Sequence, residues 1–376
     1  MNNWKKVKLS DIIEFNPRET LSKGAIAKKI AMEKLEPFTR DIPEFEYFEF
    51  RGGTKFRNGD TLMARITPSL ENGKTSKVNL LDKDEVGFGS TEFIVVRAKE
   101  NISDENFVYY LMIAPNIREV AIKSMVGTSG RQRVQLDVVK NHEILCPPLK
   151  EQIRIGKILK SLDDKIENNK KINHHLEQMA QAIFKSWFVD FEPFGGILPT
   201  TWREITFLDV AKLNYGKNLP TKNLLSKGYR VFGGNGPIGY FTEFLYQKER
   251  ILISCRGAAS GTVRLSRPFS FITNNSLIVN EKKDVYFAYL KQWCLNRQFF
   301  DVVTGSAQPQ VTIDSFKNLP IILPDTNVLE DFSKIMFPIY SQIEINMEKN
   351  EKLINFRDTL LPKLLSGEIS VNQASK

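Results

Sequence analysis

Histidine and cysteine are scarce in this 376-residue sequence, with three of each, and their scarcity removes much side-chain chemistry at once. Cys146, Cys255 and Cys294 lie far apart, without the paired spacing of a zinc site or a secreted disulfide framework. They read as buried thiols of a reducing compartment. His174 and His175 are neighbours in a helical pattern and so diverge, and His142 stands alone in a loop. No metal site is expected. No glycine-rich phosphate loop with its lysine occurs: Gly233-Gly234-Asn235-Gly236 lacks both the lysine and a following helix, and reads as a backbone turn. The Asn/Asp-Pro-Pro-aromatic motif of a DNA methyltransferase is absent too. Asn16-Pro17 runs into Arg18, and Cys146-Pro147-Pro148-Leu149 carries a cysteine where the amide or acid should stand. The acidic pairs Asp163-Asp164 and Glu348/Glu351 read as solvated helix flanks, not as a catalytic pair. Nowhere do about 18 apolar residues run together, and Met1 to Ser10 is polar and basic without an apolar leader core. The expectation is a soluble, cytoplasmic, non-catalytic chain with no membrane association.

What is present is a repeat. The length exceeds what one hydrophobic core usually serves, so two domains are expected. The 53 Lys and Arg against 44 Asp and Glu give a net charge of +9, a balance suited to nucleic acid. Trp4-Lys5-Lys6-Val7-Lys8-Leu9-Ser10-Asp11-Ile12 returns as Trp202-Arg203-Glu204-Ile205-Thr206-Phe207-Leu208-Asp209-Val210. Further on, Val134, Leu136, Asp137, Lys140, Asn141, Ile144 and Pro147 return as Val311, Ile313, Asp314, Lys317, Asn318, Ile321 and Pro324. The offset falls from 198 at the start of each half to 177 at its end, so the second globular segment is 21 residues shorter. Both segments carry short β-like runs (Thr61 to Ile66, Thr91 to Arg97, Arg250 to Cys255, Ser276 to Asn280) and one aromatic-rich helical stretch, Phe107 to Met112 and Phe287 to Trp293. Each is read as a mixed α/β domain with a curved or split sheet.

After each segment glycine nearly vanishes and the apolar period becomes helical, from Leu149 to about Phe188 and from about Thr326 to Leu365. One heptad register places Ile155, Ile158, Leu162, Lys165, Asn169, Ile172, Leu176, Met179 and Ile183 on a seam; shifting by 177 gives Phe332, Ile335, Ile339, Gln342, Asn346, Lys349, Leu353, Phe356 and Leu360. Two such seams in one chain are expected to pair as an antiparallel coiled coil relating the halves by a pseudo-two-fold axis. Asn169 and Asn346 should then form a polar layer that fixes register, the alternative being that they face solvent. Pro338 should kink or start the second helix. The fold class is thus α+β, two globular domains alternating with two long helices: residues 1–148, 149–190, 191–325 with its entry linker, and 326–376.

Pro147-Pro148-Leu149-Lys150-Glu151-Gln152-Ile153-Arg154-Ile155, Leu162-Asp163-Asp164-Lys165-Ile166-Glu167-Asn168-Asn169-Lys170, Ile183-Phe184-Lys185-Ser186-Trp187-Phe188-Val189-Asp190-Phe191 and Leu360-Leu361-Pro362-Lys363-Leu364-Leu365-Ser366-Gly367-Glu368-Ile369 resemble conserved segments of the specificity subunits of type I restriction-modification systems. The resemblance covers essentially the whole chain. It implies two target-recognition domains, each reading one half of a split double-stranded DNA target, on helices that serve as spacer and as platform for two modification (methyltransferase) subunits. It also implies adenine methylation with S-adenosylmethionine and, with restriction subunits added, ATP- and magnesium-dependent cleavage, all on partner subunits. The alternative is a stand-alone, two-site DNA-binding regulator; Trp187, Phe188 and Phe191, which one helix pair would leave uncovered, point instead to a protein partner.

Within the domains, a glycine turn precedes the shared Val-x-Leu/Ile-Asp marker: Gly127-Thr128-Ser129-Gly130-Arg131-Gln132-Arg133 and Gly305-Ser306-Ala307-Gln308-Pro309-Gln310. Arginine pairs well with guanine, and asparagine or glutamine with adenine. Arg131, Gln132, Arg133, Gln308 and Gln310 are therefore candidate base or phosphate contacts, against the simpler reading of a structural loop. Arg65, Lys74, Arg256 and Ser260 follow matching β runs and are weaker candidates. Lys23, Lys28, Lys29, Lys55, Arg57, Lys217, Lys222 and Lys227 read as phosphate contacts or solvated surface.

Overall fold

The computed structural model describes residues 3–128, 130–305 and 307–374. It divides into two compact units, residues 1–171 with 346–376, and residues 172–345. In the first unit an antiparallel sheet runs in the order Ile13–Phe15, Phe93–Ala98, Thr61–Ala64, Thr75–Lys77. Its central strands are buried on both faces, so their side chains alternate between two cores. Ile94 and Val96 join Met63 in a core shared with the helix Glu105–Ile113. Phe93 and Val95 join Leu62 in a second core that includes Ile30 and Phe56, from another sheet. That sheet is ordered Glu46–Glu49, Ile26–Ile30, Gly87–Gly89, Thr54–Phe56.

The second unit repeats this layering. Its antiparallel sheet is ordered Ala211–Tyr215, Ser276–Glu281, Ile251–Ser254, Val263–Leu265. Ile251 and Ile253 face one core while Leu252 and Ile278 face another. The smaller sheet has three strands, Gly236–Phe241, Tyr229–Gly233 and Phe271–Ile272. Among the described residues it has no counterpart of Thr54–Phe56, and where the first unit has a second helix, Pro115–Lys123, it has only the one-turn 3-10 helix Phe300–Val302. The 21-residue shortening is spread along the unit, the offset falling to 190 at Arg65/Cys255, 183 at Glu92/Asn275 and 177 at Val134/Val311.

The two long helices are Leu149–Phe188 and Thr326–Leu365, each about 60 Å at 1.5 Å per residue. Their contacts are antiparallel within each unit. In the first, Asp163 meets Arg357 and Asn169 meets Asn350; in the second, Asn173 meets Ile343 and Phe184 packs on Phe332. The seam differs from the sequence expectation at every second position. Leu159, Ile166, Asn173 and Ala180 are buried where Ile158, Lys165, Ile172 and Met179 were expected, and Met336, Asn350 and Arg357 are buried where Ile335, Lys349 and Phe356 were expected. Met179, Ile335 and Phe356 are exposed. An apolar residue beside a seam position mimics it when both of its helix's neighbouring faces carry aliphatic side chains.

The polar layer has a different composition as well. Asn169 donates to Asn350 Oδ1 at 2.8 Å, and Asn350 in turn donates to the Ile166 carbonyl at 3.1 Å. Asn346, the expected partner, is buried one turn away. In the second unit Asn173 donates to the Ile343 carbonyl at 3.1 Å, the same contact displaced by 177 residues. Pro338 neither starts nor ends a helix: the helix runs through it from Thr326, and Pro338 is exposed.

Two further expectations are corrected. Asp163 is not a solvated flank but is buried and paired with Arg357 at 2.6 Å. Trp187, Phe188 and Phe191 are not left uncovered. Phe188 packs on Trp202, Tyr289 and Phe332, Trp187 on Phe194 and Phe332, and Phe191 on Trp202. The turn Glu192–Phe194 after the helix brings the chain back over these rings.

Candidate nucleic-acid interface

Both units build the same loop support. After the strand Thr61–Ala64, residues 65–67 lie beside residues 132–134: Val134 N donates to Arg65 O at 2.9 Å, and Thr67 N to Gln132 O at 3.0 Å. Val126 and Arg133 exchange both backbone hydrogen bonds. In the second unit Val311 N donates to Cys255 O at 3.1 Å, Gly257 N to Pro309 O at 3.0 Å, and Thr304 and Gln310 exchange both bonds. Gly127 and Gly305 open the two loops with φ of +144° and +84°. A Cβ at either would stand 2.7 Å from a carbonyl oxygen across the turn, of Arg131 and Gln308 respectively, so each tight turn requires glycine. Ser129 and Ser306 lie outside the described residues.

The loops present different side chains. Arg131 is exposed and Gln132 half-buried, and neither side chain has a hydrogen-bond partner among the described residues. The same holds for exposed Arg256, Gln308 and Gln310. Arg133 is exposed but anchored: Glu92 accepts from its Nε at 3.0 Å and from its Nη2 at 2.6 Å. Arg65 Nε lies 4.0 Å from the same carboxylate. Hydrogen bonds from Arg133, opposed by partial burial, hold the Glu92 carboxyl below its usual range.

Other candidates are brought to structural work. Ser260 is buried and donates to the Pro309 carbonyl at 2.9 Å, so it positions the loop instead of facing a ligand. Lys74 donates to the Met32 carbonyl at 3.0 Å. Lys28 is buried between Asp82 (2.8 Å) and Glu85 (2.9 Å), and Arg57 pairs with Glu19 at 2.7 Å, which removes both as free phosphate contacts. Lys29 and Lys55 lie over the Phe48 and Phe50 rings, while Lys23, Lys217, Lys222 and Lys227 are exposed. Glu92 was missed because it lies 41 residues from Arg133, and only the strand pairing joins them.

No group of three or more His, Cys, Asp or Glu that could hold a metal ion occurs among the described residues. Nor is any described helix long and apolar enough to cross a membrane. What the loops can do is donate and accept hydrogen bonds from firmly supported, exposed positions.

A family model described as the type I restriction modification DNA specificity domain matches residues 1–178 and again 199–355. The chain is 29% identical to the type I restriction enzyme MjaIX specificity subunit of Methanocaldococcus jannaschii, over 73% of this chain and 71% of the relative. It is 25% identical to the HindI specificity subunit of Haemophilus influenzae, over 98% of this chain and 100% of the relative. The crystal structure of a type I restriction-modification system S subunit from M. genitalium shares the fold, with a TM-score of 0.58 at 18% identity over 96% of each chain. With two copies of the domain spanning most of its length, the chain belongs to the specificity subunits of type I restriction-modification systems, the non-catalytic components that recognise the DNA target.

Proposed function

We propose that this chain recognises an asymmetric, two-part target in double-stranded DNA, with residues 1–148 reading one half, residues 191–325 the other, and the helical segments 149–190 and 326–376 setting the count of unread bases between them. The observation that carries this is one loop support built twice and furnished differently: Arg131, Gln132 and Arg133 in the first unit, Arg256, Gln308 and Gln310 in the second. Equal furnishing would suit an inverted repeat; unequal furnishing suits two different half-sites.

In this reading the chain works in the cytoplasm with two modification subunits that methylate adenine using S-adenosylmethionine, and with restriction subunits that use ATP and magnesium. The relatives described above are subunits of restriction enzymes, which favours an assembly component over a stand-alone regulator. Exposed Met179, Ile335 and Phe356 on the long helices support protein partners there. Trp187, Phe188 and Phe191 are half-buried against rings of their own unit, and the proposed partner surface includes these helix positions as well.

The test is co-expression with a modification subunit, followed by mapping of methylated adenines on genomic DNA. One discontinuous motif with two unlike halves at fixed spacing is expected. Methylation of a continuous motif, or an inverted repeat of one half, would overturn the proposal.

A further inference from the structure

The two loop supports share the backbone hydrogen bonds that hold them but exchange side-chain chemistry. In the first unit Arg65 N donates to Glu92 O at 2.9 Å, and Val134 N to Arg65 O. In the second, Cys255 N donates to Asn275 O at 3.0 Å, and Val311 N to Cys255 O. Glu92 and Asn275 therefore hold the same backbone position, the residue leading into the strands Phe93–Ala98 and Ser276–Glu281. Arg133 and Gln310, each one residue before the valine, hold another. The acid–arginine pair of one unit is replaced by two amides in the other.

The geometry of the first pair matters. Glu92 engages the Nε and Nη2 side of the guanidinium, which leaves the distal edge, Nη1 and the second Nη2 hydrogen, facing away from the carboxylate. Two parallel N–H groups on that edge match O6 and N7 of guanine. The carboxylate fixes the plane of the fork and removes rotamers that binding would otherwise have to freeze. At the equivalent place in the second unit, Gln310 is exposed and offers one N–H donor and one carbonyl acceptor, which match N7 and N6 of adenine. Asn275 is exposed and uncharged, so no carboxylate repels the DNA there.

We propose that Arg133, held in plane by Glu92 as a positioning residue, reads a guanine in the half-site of the first unit, and that Gln310, beside Asn275, reads an adenine at the equivalent step of the other half-site. This rests on the two-half-site reading above and assigns bases to it. The complete complex with its modification subunits is the material, and genome-wide methylation plus binding to the mapped site and its single-base variants is the measurement. The wild-type complex is expected to require G·C at one position of the first half-site and to lose about 5- to 150-fold when that pair is changed.

Arg133→Lys keeps the charge but not the fork, and Glu92→Gln keeps the shape but not the anchor. Both are expected to flatten discrimination at that one position while binding to unrelated DNA stays within about twofold. The paired exchange Glu92→Asn with Arg133→Gln is expected to shift the preference there from guanine toward adenine, and Asn275→Glu with Gln310→Arg to shift the other half-site the opposite way. Unchanged reading of the untouched half-site serves as the internal control for folding in every variant. Uniform weakening on all DNA with a shallower salt dependence would make Arg133 a phosphate contact and overturn the inference, leaving the two-part reading intact. Absence of any two-part motif in the wild-type complex would instead defeat the proposed function itself.

Discussion

Asp163 accepts from Arg357 Nη1 at 2.6 Å with one carboxylate oxygen and from the Tyr110 hydroxyl at 2.5 Å with the other, and both charged side chains are only 4% exposed. Three segments meet at this node: both long helices and the helix Glu105–Ile113 of the first globular domain. A buried charge that loses its partner costs far more than the pair itself contributes. Arg357→Ala is expected to destabilise the first unit by about 3–5 kcal/mol, whereas the double change of Asp163 and Arg357 to Leu and Met is expected to cost much less. Urea unfolding of the single and double variants checks this, and equal losses would refute it. In the second unit the position of Asp163 carries Tyr340, whose hydroxyl accepts from Gln292 at 2.9 Å, a neutral counterpart of the Tyr110–Asp163 hydrogen bond.

Gly156 lets the central helix approach the start of the helix Glu105–Ile113. A Cβ there would stand 2.6 Å from Asp104 Oδ1, the atom that caps that helix by accepting from Asn106 N at 3.0 Å and Phe107 N at 2.8 Å. Gly156→Ala improves helix propensity yet is expected to lower stability by about 1–3 kcal/mol, because the cap must move. A melting temperature raised by the substitution would show that the approach is not tight.

The Asn169–Asn350 contact is expected to set register at a cost in stability. Asn350→Leu strands the Asn169 donor and should cost about 1–2 kcal/mol. Replacing both, with Ile at 169 and Leu at 350, should recover that loss and loosen the pairing. Spin labels at the exposed positions Lys165 and Lys352 read the outcome: a single narrow distance distribution in the parent protein and a broadened one in the double variant. An unchanged distribution would assign register to the apolar seam alone.

Burial pushes the thiols of Cys146, to about 11, and of Cys255 and Cys294 above the usual range. A pKa raised from 9.0 to about 11 lowers the thiolate fraction of Cys146 at pH 8 about a hundredfold, before any steric shielding. Native protein at pH 8 is therefore expected to resist a thiol-alkylating reagent at all three positions, and urea-unfolded protein to take up three equivalents. Rapid stoichiometric labelling of the native chain would contradict the buried placement.

The repeat was legible because Trp4 and Trp202, and Val134 and Val311, keep their order at both ends of each half, and the long helices because glycine disappears where the apolar period changes. Periodicity alone could not choose between Ile158 and Leu159, or between Met179 and Ala180, since apolar residues also occupy positions beside the seam. Lys165 at an assumed core position was the available warning, and Ile166 beside it is the buried residue. Asp163 looked solvated because its partner lies 194 residues away. Of the recognition loops, the glycine turns were readable from composition. The anchoring of Arg133 by Glu92 and the burial of Ser260 depend on pairing between distant strands, which no local pattern encodes.

The first unit is discontinuous: Leu360, Leu361, Leu364 and Val371 fill the same core as Ile155, Leu159 and Leu162. During synthesis from the amino terminus, those three side chains emerge about two hundred residues before the ones that cover them. The second unit, contiguous from 172 to 345, is complete while the first still lacks part of its interior. Of the two units, the one begun first is thus the last to close, because its interior is sealed from water only once the helix Thr326–Leu365 has emerged.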